Sequence, residues 1–312
     1  MAAEGDAIRA CIDPGAATPL AILTHAHGDH VHPGCASYVA TPETARIARE
    51  RVRQGATFAA HRYGEPFAWG AARVSLHPSG HILGAAQVRI EDACGVTVVT
   101  GDFKREADPT CAAFAALRAD TLFCEATFAA RRFVWLEVEQ TVAGILAWWR
   151  ANTAQGRSSL LFCHALGKAQ RLQALLAPHV DPQILVHRKI AAIDALYREL
   201  GVQVAGARIP GDRPPRWFAG RLILAPPGID SGAWRCRFGK HAKALASGWA
   251  GDATALAQRG FERGFALSDH ADWAGLLRTV EESGARRVRF SHGIATELIE
   301  ELGRRGVDAA PV

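Results

Sequence analysis

The sequence predicts an α/β protein in which a domain with a parallel sheet is inserted into a strand-rich domain. Up to Glu125, short β-branched runs alternate with Gly and Asp turns, which is typical of strands. From about residue 137, helical and strand-like segments alternate, as they do in βα units on a parallel sheet. The strand-rich pattern returns near the C-terminus. We therefore expect domain segments at 1–130, 131–264 and 265–312, with the middle segment as the insert.

The elements follow from local signals along the chain. In the first segment we expect a helix over residues 41–55, with Thr41 as N-cap, Pro42 at its first position and Gly55 closing it. The predicted strands there lie in the stretches 18–24, 72–81, 86–103 and 121–128, the last of them ending at Glu125. In the middle segment we expect helices at 137–156, 167–177 and 189–201, and strands at 158–163, 183–187 and 222–227. The last segment predicts a strand at 264–268, a helix at 269–284, a strand at 286–293 and a final helix.

The composition is that of a globular chain with a sizeable core. The 312 residues are 49% hydrophobic with a mean hydropathy of zero. No apolar run reaches the roughly 18 to 20 residues that a membrane span needs, and the first residues lack the apolar region of a secretory signal. Seven cysteines without a C-x-x-C pair do not resemble a disulfide framework. We expect a reduced, cytoplasmic protein without membrane partners.

The positive charge lies in the middle of the chain. Residues 126–265 hold 19 Lys and Arg against 9 Asp and Glu, a net charge of +10, while the remainder has a net charge of −5. Such a basic region favours a polyanionic partner. A well-solvated, arginine-rich surface would give the same composition, and charge by itself leaves both interpretations open.

One short stretch, "HAHGDH", concentrates imidazoles and a carboxylate directly after a buried strand. These side chains are costly to bury unless they are paired or bind metal. Alternation along an extended segment points His25 and His27 the same way, with Asp29 and His30 towards a neighbouring position. Imidazole and carboxylate are ligands that zinc favours. Two sub-clusters a few ångströms apart imply two metal ions.

Two further ligand-like residues occupy turns after later strands. His81 lies in "SGHILGAA" and Asp102 in "VTGDF", and the glycines beside them permit a close approach of the backbone. Because His81 and Asp102 follow the histidine cluster in this order along the chain, they strengthen the prediction of a metal site.

The assembled motifs resemble the β-CASP nucleases of the metallo-β-lactamase fold. "HAHGDH", "SGH" and "TGD" are similar to the metal-binding motifs of that fold, and Asp13 in "CIDPG" to its first motif. Glu125, His270 and His292 resemble β-CASP motifs A, B and C, and "LLFCHALGKAQRL" resembles a segment of the inserted domain. The resemblance implies a metallo-β-lactamase αββα sandwich with an inserted β-CASP α/β domain.

Carried over residue by residue, the resemblance implies two metal sites and a catalytic set. His25, His27 and His81 would bind one ion, Asp29, His30 and His292 the other, and Asp102 would bridge them. Zinc is the expected metal, with manganese as the alternative. Asp13 would orient the metal-binding loop, while Asp29, Glu125 and His270 would join it in catalysis.

The resemblance further implies a nuclease acting on phosphodiester bonds. Stretches such as "APPG", "ASGWA" and "RGFALSDHADWAGLL" resemble bacterial DNA-ligase-associated exonucleases, which favours DNA over RNA, a role in DNA repair and an association with a DNA ligase. The histidine at motif C, His292, resembles RNA-cutting members, so an RNA-processing nuclease is the alternative. A small-molecule metallo-hydrolase is the more distant one, because it has no need of a large basic insert.

Several residues of the insert are candidates for contact with nucleic acid. Lys168 stands where a helix N-terminus could meet a phosphate. A later stretch interleaves cations with aromatic rings that could stack unpaired bases, and its candidates are Trp217, Trp234, Arg235, Arg237 and Lys240. The aromatic members could equally belong to the core of the insert.

Overall fold

The computed structural model of the chain describes residues 11–179 and 184–312. The chain divides into two compact units, one made of Met1–Val134 with His270–Val312 and the other of Trp135–Asp269. We call them unit 1 and unit 2. The predicted α/β class is confirmed, because helices alternate with parallel and mixed sheets.

The described residues form sixteen strands and eight α-helices. The strands are β1 (Leu20–Ile22), β2 (Ser37–Ala40), β3 (Thr57–Ala60), β4 (Pro66–Trp69), β5 (Ala72–Pro78), β6 (Ala86–Asp92), β7 (Gly95–Val99), β8 (Thr121–Ala126), β9 (Ser158–Phe162), β10 (Leu185–Val186), β11 (Ala207–Arg208), β12 (Leu222–Ala225), β13 (His241–Ala246), β14 (Arg263–Phe265), β15 (Arg287–Gly293) and β16 (Asp308–Pro311). The helices are α1 (Pro42–Ala48), α2 (Val138–Ala154), α3 (Lys168–Leu176), α4 (Arg188–Glu199), α5 (Gly232–Arg235), α6 (Ala253–Gln258), α7 (Trp273–Ser283) and α8 (Thr296–Arg304).

Unit 1 contains two sheets that share a core. The smaller sheet is parallel, in the order β1-β2-β3, and the larger has seven strands in the order β16-β15-β8-β7-β6-β5-β4. Ile22 and Val39 of the smaller sheet pack with Val74 and Val88 of the larger one. Leu276 of α7 and Leu298 of α8 pack with the β8 and β15 side of the larger sheet. Alternating apolar residues thus join each layer to the next.

Unit 2 is built on one parallel sheet in the order β11-β10-β12-β9-β13-β14. Every residue of β9 is buried, as expected for a strand covered on both faces. Leu161 packs with Leu172 of α3 on one face, whereas Leu160 and Phe162 pack with Leu256 of α6 on the other. The period-two alternation of β9 therefore supplies two separate cores.

Local signals account for several element boundaries. Thr41 caps α1 and Pro42 occupies its first turn, as predicted, but α1 ends at Ala48 and not at Gly55. Asp272 caps α7, which ends before Gly284 in the left-handed region, at a φ of 65°. Strand β13 is not predicted from the sequence, although it pairs with β9 at the centre of unit 2.

Two further observations concern sulfur and hydropathy. All seven cysteines are free thiols. Within the described residues, the helices are either too short or too polar to cross a bilayer.

Candidate metal centre

The histidine cluster lies in the loop that follows β1, inside unit 1. His25, His27 and His30 are buried, and so is His81, which follows β5. The ring centroids of His25 and His30 are 4.1 Å apart, and those of His25 and His81 are 4.7 Å apart. Four imidazoles from two separate sequence motifs therefore share one buried volume.

Asp13 holds the loop in place through three contacts. Its Oδ1 accepts a hydrogen bond from the backbone N–H of Thr24 at 2.8 Å, and its Oδ2 accepts one from the Thr24 hydroxyl. Oδ2 also lies 2.8 Å from Nδ1 of His30. Asp13 has a φ of 44°, a strained value for a residue other than glycine that such contacts can maintain. This is an orienting position beside the imidazoles.

Asp102 is the carboxylate at the centre of the cluster. Its Oδ2 lies 3.5 Å from Nε2 of His25, 3.5 Å from Nε2 of His30 and 3.6 Å from Nε2 of His81. These separations are too long for strong hydrogen bonds. They leave space between ligand atoms at the position that a shared cation would take.

The donor set fits divalent metal ions. The described residues contain three groups whose possible ligand atoms lie within 4.8 Å of one another: His25, His27, His81 and Asp102; Asp13, His25 and His30; and Asp102, Glu125 and His270. Nε2 of His25 is fully buried without a hydrogen-bond partner, which is costly unless a cation binds it. Imidazole with carboxylate is the ligand chemistry of zinc sites.

The electrostatics of the centre agree with that fit. Burial lowers the pKa of His25 well below its ordinary value, and the neighbouring imidazoles lower it further, which favours the neutral form that binds metal. Burial raises the pKa of Asp102, and the Glu125 carboxylate raises it further. A buried carboxylate in this condition is stabilised by a nearby cation.

Burial by itself would lower the pKa of His30. Its hydrogen bond to Asp13 and the surrounding carboxylates instead raise that pKa to about 9.

Glu125 and His270 form a pair next to the Asp102 carboxylate. Both carboxylate oxygens of Glu125 lie 2.9 Å from Nδ1 of His270, and Oε1 also accepts from the backbone N–H of Phe103 at 2.8 Å. Burial would raise the pKa of Glu125, but the attraction of His270 lowers it. The His270 ring lies 4.9 Å from that of His81 and 5.9 Å from that of Phe128. The pair is therefore fixed at the edge of the histidine cluster.

Two predicted ligands lie outside the three buried groups. The side chain of Asp29 is 81% exposed, and its Oδ2 is 3.9 Å from Nε2 of His30. His292 is exposed as well, with its ring 5.2 Å from that of His30 and its φ at 55°. A cavity of about 140 Å³ is lined by Asp13, His30, Glu125 and His292, among others. Both residues border the cluster from the solvent side.

Two supporting residues lie beside Asp102 in the chain, and the sequence analysis anticipates only the glycine, as a position that permits a close approach of the backbone. Lys104 is completely buried, where its Nζ donates to the backbone oxygen of His81 at 3.1 Å and to Asp108 at 2.6 Å. Gly101 approaches Thr24 so closely that a Cβ would lie 2.6 Å from the threonine Cβ. The signal for both is their position beside Asp102 in "TGDFK".

The candidate contacts with nucleic acid in unit 2 have mixed surroundings. Lys168 is buried, and its Nζ donates to Asp269 at 2.7 Å, which favours a structural role. Trp217 and Trp234 are partly buried against an apolar cluster. Arg235 pairs with Asp230, while Arg237 and Lys240 are exposed. Contact of these residues with nucleic acid stays a prediction.

Three relatives match the chain in sequence. A probable DNA ligase from Opitutus terrae is 30% identical over 293 residues, covering 92% of this chain and 28% of the relative. Endoribonuclease YSH1 from Yarrowia lipolytica is 32% identical over 107 residues, covering 33% of this chain and 13% of the relative. Transcription termination factor FttA from Pyrococcus abyssi is 30% identical over 129 residues, covering 39% of this chain and 18% of the relative.

These matches support the resemblance to the β-CASP nucleases. The resemblance predicted from the motifs is thereby confirmed. The chain spans less than a third of the length of each of these relatives. No protein-family model matches it.

A crystal structure of a protein of unknown function from Enterococcus faecalis V583 shares the fold of this chain. The TM-score is 0.61 at 15% sequence identity, with 94% of this chain and 78% of the other covered. At this identity the likeness concerns the fold alone.

We predict that Asp102→Asn lowers the metal content of the purified protein and its hydrolytic activity, the latter by on the order of 10³-fold. An amide cannot neutralise two cations, and Lewis-acid stabilisation by such ions is worth several kcal/mol. Elemental analysis together with hydrolysis of bis-p-nitrophenyl phosphate measures both effects.

The matched control is Asp120→Asn, which removes an exposed carboxylate of the same unit. It should retain full metal content and activity. Two equivalents of metal still bound to Asp102→Asn would contradict a bridging position.

Proposed function

We propose that the protein is a dinuclear-metal-dependent nuclease that hydrolyses DNA as an exonuclease in DNA repair in the cytoplasm. The observation that carries this proposal is the Asp102 carboxylate set among buried imidazoles, with the Glu125–His270 pair beside it. Metal ligands next to a histidine oriented by a carboxylate match what phosphodiester hydrolysis requires: charge neutralisation and a proton for the leaving group.

We further propose that unit 1 is a metallo-β-lactamase αββα sandwich and that unit 2 is the inserted β-CASP domain. The two sheets of unit 1 with a common core, and the parallel sheet of unit 2, support this assignment. The break points of the units, after Val134 and Asp269, lie within five residues of the domain boundaries expected from the sequence.

In the proposed centre, His25, His27 and His81 would hold one ion, Asp29, His30 and His292 would hold the other, and Asp102 would contribute to both. The first set coincides with one of the buried groups. The second needs the exposed carboxylate of Asp29 to turn towards His30, since its Oδ2 is 3.9 Å from Nε2. Two divalent ions, zinc foremost and manganese as the alternative, would act as Lewis acids towards a phosphodiester.

Glu125 and His270 act on the proton of the leaving group in this proposal. Glu125 accepts from Nδ1 of His270, which fixes the ring orientation, and Nε2 is the nitrogen that would act on the substrate. Cleavage of natural DNA expels an alkoxide, which leaves readily only when it is protonated. His270 therefore donates that proton and Glu125 positions it.

The substrate class is proposed from the relatives. The match to a probable DNA ligase extends over 92% of this chain and favours DNA and an association with a DNA ligase. The match to an endoribonuclease is shorter, at 33% of the chain, and makes an RNA-processing nuclease the second candidate.

The deciding experiment incubates the full chain with end-labelled single-stranded DNA, duplex DNA and RNA, each with zinc, manganese, magnesium or chelator. We expect metal-dependent release of mononucleotides from one end of DNA. Internal cleavage of RNA with no action on DNA would replace the proposal by the second candidate. Hydrolysis of lactams or thioesters with no action on either nucleic acid would reject a nuclease altogether.

We predict that His270→Ala slows hydrolysis of DNA by on the order of 10²–10⁴-fold, the usual contribution of general acid catalysis. Hydrolysis of a p-nitrophenyl phosphodiester should change little, because p-nitrophenolate leaves without a proton. His179→Ala, which removes an exposed histidine of unit 2, is the control and should not alter either rate. Equal loss on both substrates at normal metal content would show that His270 is not the acid.

We also predict that reversing the charges of Arg235 and Arg237 weakens binding of a DNA strand and flattens its salt dependence. Each phosphate neutralised by a cation releases counterion, so fewer contacts give a smaller slope of affinity against salt. Arg235→Gln with Arg237→Gln separates loss of positive charge from the repulsion that a glutamate at 235 would meet from Asp230. Unaltered hydrolysis of bis-p-nitrophenyl phosphate shows an intact fold, and an unchanged salt slope in both double variants would rule out these contacts.

A further inference from the structure

The sheet of unit 2 has a switch point between two neighbouring strands. The chain leaves β9 towards β10 on one side and leaves β13 towards β14 on the other. The connecting helices lie on opposite faces, because α3 packs in one apolar cluster through Leu172 and α6 in the other through Leu256. In parallel α/β sheets, a crevice for ligands opens outside the carboxyl ends of the strands at such a point.

Two exposed rings follow the carboxyl ends of these two strands. His164 stands two residues after β9, and Trp249 stands three residues after β13. The strands are parallel neighbours, with Phe162 opposite Leu245. Paired strands lie about 4.8 Å apart, so the two loops start side by side at the switch point.

The turn that carries Trp249 is held firmly by its neighbours. The backbone N–H of Trp249 donates to the Ser247 hydroxyl at 3.2 Å, and the backbone N–H of Ala250 donates to the Ser247 carbonyl at 3.1 Å. Ala250 is buried, and its carbonyl packs so closely on Gly264 that a Cβ there would lie 2.3 Å away. The turn therefore presents the indole outward at 58% exposure.

That exposure is unusual within the described residues. Among their large hydrophobic side chains, Trp249 is the only exposed aromatic one. The His164 ring is also restrained, with Nδ1 3.2 Å from the carbonyl oxygen of Leu166. Preorganised aromatic faces suit unpaired bases, because base stacking is sequence-tolerant and costs little ordering when the platform is already fixed.

We propose that this edge of unit 2 is a subsite for an unpaired base of single-stranded nucleic acid. Trp249 is the stacking platform and His164 flanks it from the neighbouring loop. The net charge of +10 over residues 126–265 complements the phosphates on either side of such a base. The subsite rests on the proposed nuclease function and adds to it a preference for unpaired strands or frayed ends.

The test compares Trp249→Ala and Trp249→Phe with the wild type. Anisotropy of a labelled single-stranded oligonucleotide, with metal chelated to prevent cleavage, gives the dissociation constant. Steady-state assays with metal give KM and kcat on the same strand, and bis-p-nitrophenyl phosphate reports on the metal centre. Leu136→Ala is the matched control, since Leu136 is another apolar side chain of unit 2 at 59% exposure.

We expect Trp249→Ala to raise the dissociation constant and KM by on the order of 10-fold or more, the loss of one stacked base. Trp249→Phe should retain most of the affinity, and a 2-aminopurine in the bound strand should be quenched by the wild type but not by the alanine variant. All variants should hydrolyse bis-p-nitrophenyl phosphate at the wild-type rate.

Wild-type affinity in Trp249→Ala, or an equal loss of affinity in Leu136→Ala, would overturn the subsite. The nuclease proposal would still stand as long as the wild-type enzyme is active. A wild type that neither binds nor cleaves any nucleic acid would overturn both. Binding lost together with hydrolysis of the small ester would mean a structural role for Trp249 and would also reject the subsite.

Discussion

The charge of one buried carboxylate is the constraint on which the centre of unit 1 depends. Asp102 lies at nearly equal distances from three imidazole nitrogens, and burial opposes its ionisation. Such a group is stable only with a cation or a proton nearby. The contacts of Asp13 with the loop after β1, and of Lys104 with His81, keep the imidazoles in place around it.

Unit 2 is subject to a different constraint. The polar groups buried at the end of its sheet need ion-pair or hydrogen-bond partners. Lys168 and Arg171 are buried, and both lie beside Asp269, at 2.7 Å and 3.5 Å respectively. Arg171 also donates to the carbonyl of Ser268 at 2.6 Å. Removing one partner of such a buried ion pair is strongly destabilising, because the remaining charge stays buried without compensation. It fixes the residues that directly precede His270 in sequence.

Elements with strong local signals were predictable, and elements that depend on distant partners were not. Helix α1 begins at the predicted cap because Thr41 and Pro42 act within one turn. Strand β13 escaped prediction because Lys243 and small alanines interrupt any apolar pattern in "HAKALA". Its lysine is buried because Nζ donates to Asp230, 13 residues earlier, at 2.7 Å and to the carbonyl oxygen of Arg259 at 3.1 Å. A local reading of the sequence has no access to these partners.

The sequence by itself determined which residue types form the centre. Two features of the sequence indicate metal-binding chemistry before any fold is known. One is the spacing of His25, His27, Asp29 and His30, and the other is the position of His81 and Asp102 at strand ends. Only the tertiary structure decided that Asp29 faces solvent while Asp13 comes within 2.8 Å of His30. The fold also brings Glu125 within 2.9 Å of His270 across 145 positions. Local spacing fixes which way neighbouring side chains point, whereas contacts between distant residues depend on strand register and on the packing of separate layers.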